Sequence, residues 1–191
     1  MKKILFTGCL LLTIQFVYAQ AYKITWGDEI KLKKGTADLD IVMADNTGLY
    51  FTETRLQMKS YFLIGATYGT AVKLMKVDKN FSEVFDKEYK KELRGLTFHS
   101  FQALGNDLYL FATDYIRKER QFKVYGVKID KSSGDFVGDF TELGSYDLES
   151  RKDDYEMKIK PVMNGQSFLM VSNISNNNSV KLAVHLLNRN F

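Results

Sequence analysis

Three short tracts, "VDKNF" (Val77–Phe81), "IDKSSGDF" (Ile129–Phe136) and "LNRNF" (Leu187–Phe191), share one order of chemistry. An apolar residue is followed by Asp or Asn, then a basic residue, then turn formers, then Phe. Phe81, Phe136 and Phe191 stand at equal intervals of 55 residues. A shared period of this size is the mark of a repeat architecture, in which each copy is one supersecondary unit.

The likeness extends upstream of each tract. "AVKLMKVD", "FKVYGVKID" and "VKLAVHLLN" are rich in strand-forming residues. In the first two the apolar positions change phase: Val72 and Leu74 give way to Met75 and Val77, and Phe122 and Val124 to Tyr125, Val127 and Ile129. Such a change predicts a bulge or a strand covered on both faces. Earlier still, each copy holds two apolar runs joined by a turn, at Asp45-Asn46-Thr47-Gly48, Gly105-Asn106-Asp107 and Asn164-Gly165-Gln166. Asn, Asp and Gly tolerate the positive φ of tight turns, so these read as β-hairpins. Pro161, the single proline, belongs at an edge or bulge of the third copy. After the shared Phe, "SEVFDKEY" and "VGDFTELGSY" read as fourth strands, while "ITWGDEIKLKK" (Ile24–Lys34) reads as another fourth strand before the first copy.

The expectation is an all-β chain of four-stranded antiparallel units, with no helix in residues 20–191. It comprises a lone strand in 20–36, units at 37–91 and 92–148, and a partial third unit at 149–191. Four antiparallel strands at a period near 55 resemble the blades of a β-propeller; kelch blades run to about 50 residues and WD40 blades to about 40–45. Neither the Gly-His…Trp-Asp signature nor the double glycine of kelch is present, so no propeller subclass is indicated. "WGDEIKLKKGTADLDIVMADNTGLYF" (Trp26–Phe51), following a leader that ends in Ala-Gln, is similar to the start of exported propeller-like proteins of uncharacterised function from bacteria of the Bacteroidota group. That resemblance implies an address and a fold, and no reaction. A propeller takes about 4–8 blades, so the expectation extends to a longer protein of which this is the N-terminal part. The same strand pattern also fits a single open or sandwich-like antiparallel domain.

Residues 1–19 read as an export signal: Lys2 and Lys3 open it, Ile4 to Val17 form its apolar stretch, and Val17-Tyr18-Ala19 is a small-residue cleavage site. The expected address is periplasmic or extracellular. Thr7-Gly8-Cys9 loosely resembles a lipidation site, but the apolar run continues past Cys9, which favours plain cleavage. Cleavage removes the one cysteine, excluding a disulfide framework or thiolate metal site. It also removes two cations from a net charge of +4, too near balance for the concentrated basic face of a nucleic-acid binder. No later apolar run reaches the roughly 20 residues of a membrane helix.

The chemistry is sparse. There is no Walker loop, G-x-G-x-x-G, H-E-x-x-H or G-x-S-x-G. His99 and His185 are the only histidines, and His185 occupies the repeat position of Met75 and Val127, which assigns it to packing. "DKSSGDFVGD" (Asp130–Asp139) has the oxygens of a calcium loop but not the Glu at its twelfth position, where Thr141 stands. A hairpin turn explains it better. "DYIRKERQ" (Asp114–Gln121), "DLESRKDDYE" (Asp147–Glu156) and the Asn-rich "NISNNNS" (Asn173–Ser179) read as surface loops, the class of segment that carries function disproportionately. No catalytic, metal or cofactor residue is nominated, and no cofactor is expected. The functional expectation is a non-enzymatic scaffold presenting loops to a protein or glycan. The alternative is part of a secreted glycan-active hydrolase, which requires paired carboxylates at a cleft.

Overall fold

The computed structural model describes residues 29, 34, 36–61, 65–150, 153–175 and 179–191, excepting the side chains of 37, 56–61 and 65–70. The expected leader, its Cys9 and nearly all of the Ile24–Lys34 strand lie outside the described residues. The described chain is all-β and contains no helix. Sheet 1 is β1 (Thr36–Asp45), β2 (Gly48–Tyr61), β3 (Gly65–Val77) and β4 (Glu83–Glu88), hydrogen-bonded in chain order. Sheet 2 repeats this with β5 (Thr97–Leu104), β6 (Asp107–Ile116), β7 (Gln121–Ile129) and β8 (Phe136–Asp147). Sheet 3 has β9 (Asp154–Val162), β10 (Ser167–Ser175) and β11 (Val180–Leu187). All pairings are antiparallel. Pro161 lies in β9, an edge strand of sheet 3. The hairpin of β2 and β3 is long, running from Leu49 opposite Val77 to Tyr61 opposite Gly65.

The repeated tracts fall at one corner of each sheet, the turn after the third strand, and their consensus has a physical cause. The side-chain oxygen of the Asp or Asn accepts a hydrogen bond from the backbone N–H two residues on. These contacts are Asn80 N to Asp78 at 2.8 Å, Ser132 N to Asp130 at 2.7 Å and Asn190 N to Asn188 at 3.0 Å. This is an Asx turn, in which a short side chain supplies the acceptor that the departing backbone lacks.

The Phe of the tract then enters the packing between sheets. Phe136 stacks on Tyr89 of the preceding unit, ring centroids 5.3 Å apart. Phe191 meets Tyr109 at 5.2 Å and Phe111 at 5.8 Å. Phe81, in the first sheet, is half-buried and belongs to neither core cluster.

Two hydrophobic clusters hold the three sheets in succession. One joins Tyr50, Val72 and Leu74 of sheet 1 to Leu108, Leu110, Val127 and Ile129 of sheet 2. The other joins Tyr109, Phe111, Phe122 and Val124 of sheet 2 to Met157, Ile159, Phe168 and Met170 of sheet 3. Sheet 2 is therefore apolar on both faces, and the phase change in β7 is the point where its odd residues serve one cluster and its even residues the other. Bulges occur here too: the β7–β8 register shifts at Val124/Tyr125 and again at Gly126/Lys128.

A second contact recurs between sheets. The Tyr50 hydroxyl donates to the carbonyl of Lys131 at 3.3 Å, and that of Tyr109 to the carbonyl of Arg189 at 3.0 Å. Lys131 and Arg189 are the basic residues of the shared tract in the next sheet, so each second strand is latched to the following turn. In the first latch the Lys131 Nζ also reaches back to Asp45 Oδ2 at 2.6 Å. Burial opposes ionisation of Asp45, but hydrogen bonds from Lys131 and Thr47 outweigh it and hold the carboxyl well below its usual range.

Candidate functional site

The first strands of successive sheets are neighbours: β1 packs on β5, and β5 on β9. Beside these strands the cluster between sheets 1 and 2 opens into a pocket of about 440 Å³. Its volume lies within the roughly 300–1,000 Å³ typical of small-molecule sites. β1 supplies Asp38 and Asp40, β2 Thr52 and Thr54, β5 His99 and Gln102, and β9 Lys160. Phe98 and Phe101 form the apolar wall, continuous with the core.

Strand register explains the polar rim. Asp38 pairs across the sheet with Thr54 and Asp40 with Thr52, so the four side chains share the face turned towards sheet 2. Residues two apart on a strand are separated by about 6.5–7 Å, which puts the two carboxylates side by side at the rim. Both are exposed. The pocket walls are also where the ladders are irregular: the β1–β2 register shifts between Ile41 and Met43, and the β5–β6 register between Phe98 and Ser100. The extra residues are Val42 and His99, both of which line the pocket. A bulge re-aims the side chain it carries, and here it turns a histidine into the cavity. Burial lowers the pKa of His99, leaving the imidazole neutral at pH 7.

Two hydroxyl oxygens of the lining residues, Thr52 Oγ1 and Ser100 Oγ, are buried without a hydrogen-bond partner. An unsatisfied buried hydroxyl costs about 1–3 kcal/mol, so the fold keeps this region polar against its own stability.

His99 lies in the pocket, whereas His185 packs edge-on against Tyr146 with ring centroids 6.0 Å apart. Asp130 Oδ1 accepts from the N–H groups of Ser132 and Ser133 and from the Ser132 hydroxyl, which commits it to the turn. Asp135 is ion-paired with Lys87 of sheet 1. Among the described residues no group of three or more His, Cys, Asp or Glu side chains is placed to hold a metal ion. The charged stretches do meet in space. The Arg120 guanidinium donates to the Glu149 carbonyl at 2.9 Å, and Lys181 Nζ lies 2.5 Å from Glu149 Oε1. The β6–β7 loop, the β8–β9 link and the start of β11 thus gather on one face. In "NISNNNS", residues 176–178 lie outside the described residues.

Sequence reading missed Asp38, Asp40 and Gln102. The alternation "DLDIV" carried a signal, since two acids spaced by two on a strand must share a face, but which face meets a cavity depends on the neighbouring sheet. No protein-family model, curated protein or solved structure matches the chain.

Proposed function

We propose that the chain forms a propeller-like, non-enzymatic exported scaffold that binds a glycan or protein partner. The observation that carries this reading is the repeated junction between sheets. A tyrosine of one second strand holds the turn of the next sheet, twice over, while the first strands line up side by side around a polar-rimmed pocket. Sheets joined by one repeated contact form a stiff array, and stiff arrays suit the presentation of pockets and loops. The loop face at Arg120, Glu149 and Lys181 offers a second surface of mixed charge.

Screening the purified protein against a glycan panel and against polysaccharide substrates tests the proposal: retention without cleavage is expected. A second reading, a glycan hydrolase, draws on the Asp38 and Asp40 pair, whose strand spacing overlaps the about 5–9.5 Å separations of glycosidase carboxylates. Turnover that disappears in Asp38→Asn or Asp40→Asn would establish the hydrolase and overturn the scaffold.

A further inference from the structure

We infer that the pocket between β1, β5 and β9 binds a neutral saccharide; this rests on the binding-scaffold reading and gives it a site and a ligand class. Asp38 and Asp40 are acceptors only, the Lys160 ammonium is a donor only, and the Gln102 amide and the neutral His99 imidazole each supply both. A ligand satisfying all of them must itself carry many groups that donate and accept within a short span. Vicinal hydroxyls do this: one carboxylate can accept from two neighbouring hydroxyls while an amide donates to one of them. Phe98 adds an apolar surface beside the polar rim, suited to the C–H face of a sugar ring.

Charge narrows the class. Two carboxylates stand against one ammonium, and His99 adds nothing at pH 7. The site carries a negative excess that disfavours uronates and other anionic sugars. The two carboxylates stand at the exposed rim beside Thr52 and Thr54, where a solvated hydroxyl ligand can meet both. Thr52 and Ser100 of the same lining carry buried hydroxyls without a hydrogen-bond partner, so the site has unfilled hydrogen-bonding capacity.

The test is titration calorimetry, with saturation-transfer NMR, of the purified protein against neutral oligosaccharides, uronate-containing oligosaccharides of the same length, and spermidine. Neutral oligosaccharides are expected to bind, and uronates about tenfold more weakly. In Asp38→Asn/Asp40→Asn and in Gln102→Ala the neutral affinity should fall by about tenfold or more, the scale of charge-assisted hydrogen bonds. Lys123→Ala, on the β7–β8 ion pair with Glu142 and outside the pocket lining, should bind as the parent does. Thermal unfolding of each variant separates lost binding from lost fold. Preference for uronates or spermidine, absence of neutral binding, or neutral binding indifferent to the pocket variants overturns the inference. Glycan-array or protein binding that survives in the same variants sinks the pocket and leaves the scaffold standing. Cleavage by the parent that Asp40→Asn abolishes, together with neutral binding that Gln102→Ala weakens, sinks the scaffold and leaves the pocket.

Discussion

A single oxygen on Asp78, Asp130 or Asn188 decides where each third strand ends, because it accepts the N–H that the turn would otherwise leave open. That much was legible in the sequence, since Asx turns are local and their acceptor lies two residues from its donor. The tyrosine latches were not, although Tyr50 and Tyr109 both follow a hairpin turn by the same number of strand residues. Nothing local says which carbonyl across the molecule a hydroxyl will meet. Tyr109→Phe removes the bond to Arg189 and keeps the ring in its cluster, so a loss of about 0.5–1.5 kcal/mol is expected in urea unfolding. A loss near zero would mean the latch is incidental. Gly48 makes a sharper case. Its φ is +149°, and an added Cβ would stand 1.9 Å from the Val77 carbonyl oxygen. Gly48→Ala should therefore cost at least about 3 kcal/mol, combining strain at a glycine-only conformation with a backbone clash. Wild-type-like unfolding of that variant would show that the β1–β2 turn can be rebuilt.

Within the strands, alternation was readable wherever one face is apolar, and it carried no signal where charge is buried. Glu53 and Lys73 are directly paired across β2 and β3, and are 0% and 2% exposed. Their charged atoms lie 3.1 Å apart, with Asp86 2.8 Å from the same ammonium and Thr36 donating to Glu53 at 2.5 Å. A charged pair in the sequence reads as a solvated face; only the surrounding partners make burial tolerable. Lys73→Met leaves Glu53 buried without its main countercharge and should cost about 3–5 kcal/mol, whereas adding Glu53→Met should restore most of that loss. Denaturant titration of the single and double variants separates these outcomes, and equal losses in both would show that the pair stabilises rather than merely compensates.

The network also sets a pH window. Burial works against ionised Glu53, but the bonds from Thr36 and Lys73 prevail and lower its pKa below 4.5; Lys73 is opposed by burial too, yet Asp86 and Glu53 raise it above 10.5. The contribution of Glu53 is present above the unfolded carboxylate value and is lost as pH falls through the lower folded value. That of Lys73 is complete below 10.5 and is lost as pH rises through its higher folded value. Urea midpoints should hold between these limits and drop below about pH 4, more steeply in the parent than in the Glu53→Met/Lys73→Met variant.

Across the molecule, the sequence disclosed how many sheets there are and the order of strands within each, because those follow from turns and periodicity. How one sheet meets the next follows from matching faces. Counting back equally from the pairs Leu49–Val77, Leu108–Ile129 and Phe168–Leu187, Val72 and Leu74 of β3 correspond to Val124 and Gly126 of β7 and to Leu182 and Val184 of β11. In β3 these positions are buried against sheet 2, and Val124 of β7 is buried against sheet 3. In β11 they stand open: Val180, Leu182, Val184 and Leu186 are 70%, 65%, 58% and 57% exposed. β11 is also the outer strand of its sheet among the described residues. A free strand edge beside a row of alternating exposed aliphatics is a template for association. Light scattering across a concentration series should show the parent chain self-associating. Leu182→Lys/Val184→Lys should suppress this while changing the urea midpoint little, because exposed positions contribute within about 0.5 kcal/mol each. If the parent stays monodisperse at every concentration and the lysine variant matches it, the exposed row is harmless in solution. If the lysine variant instead unfolds at markedly lower urea, the row is packed in the native state and does not serve association.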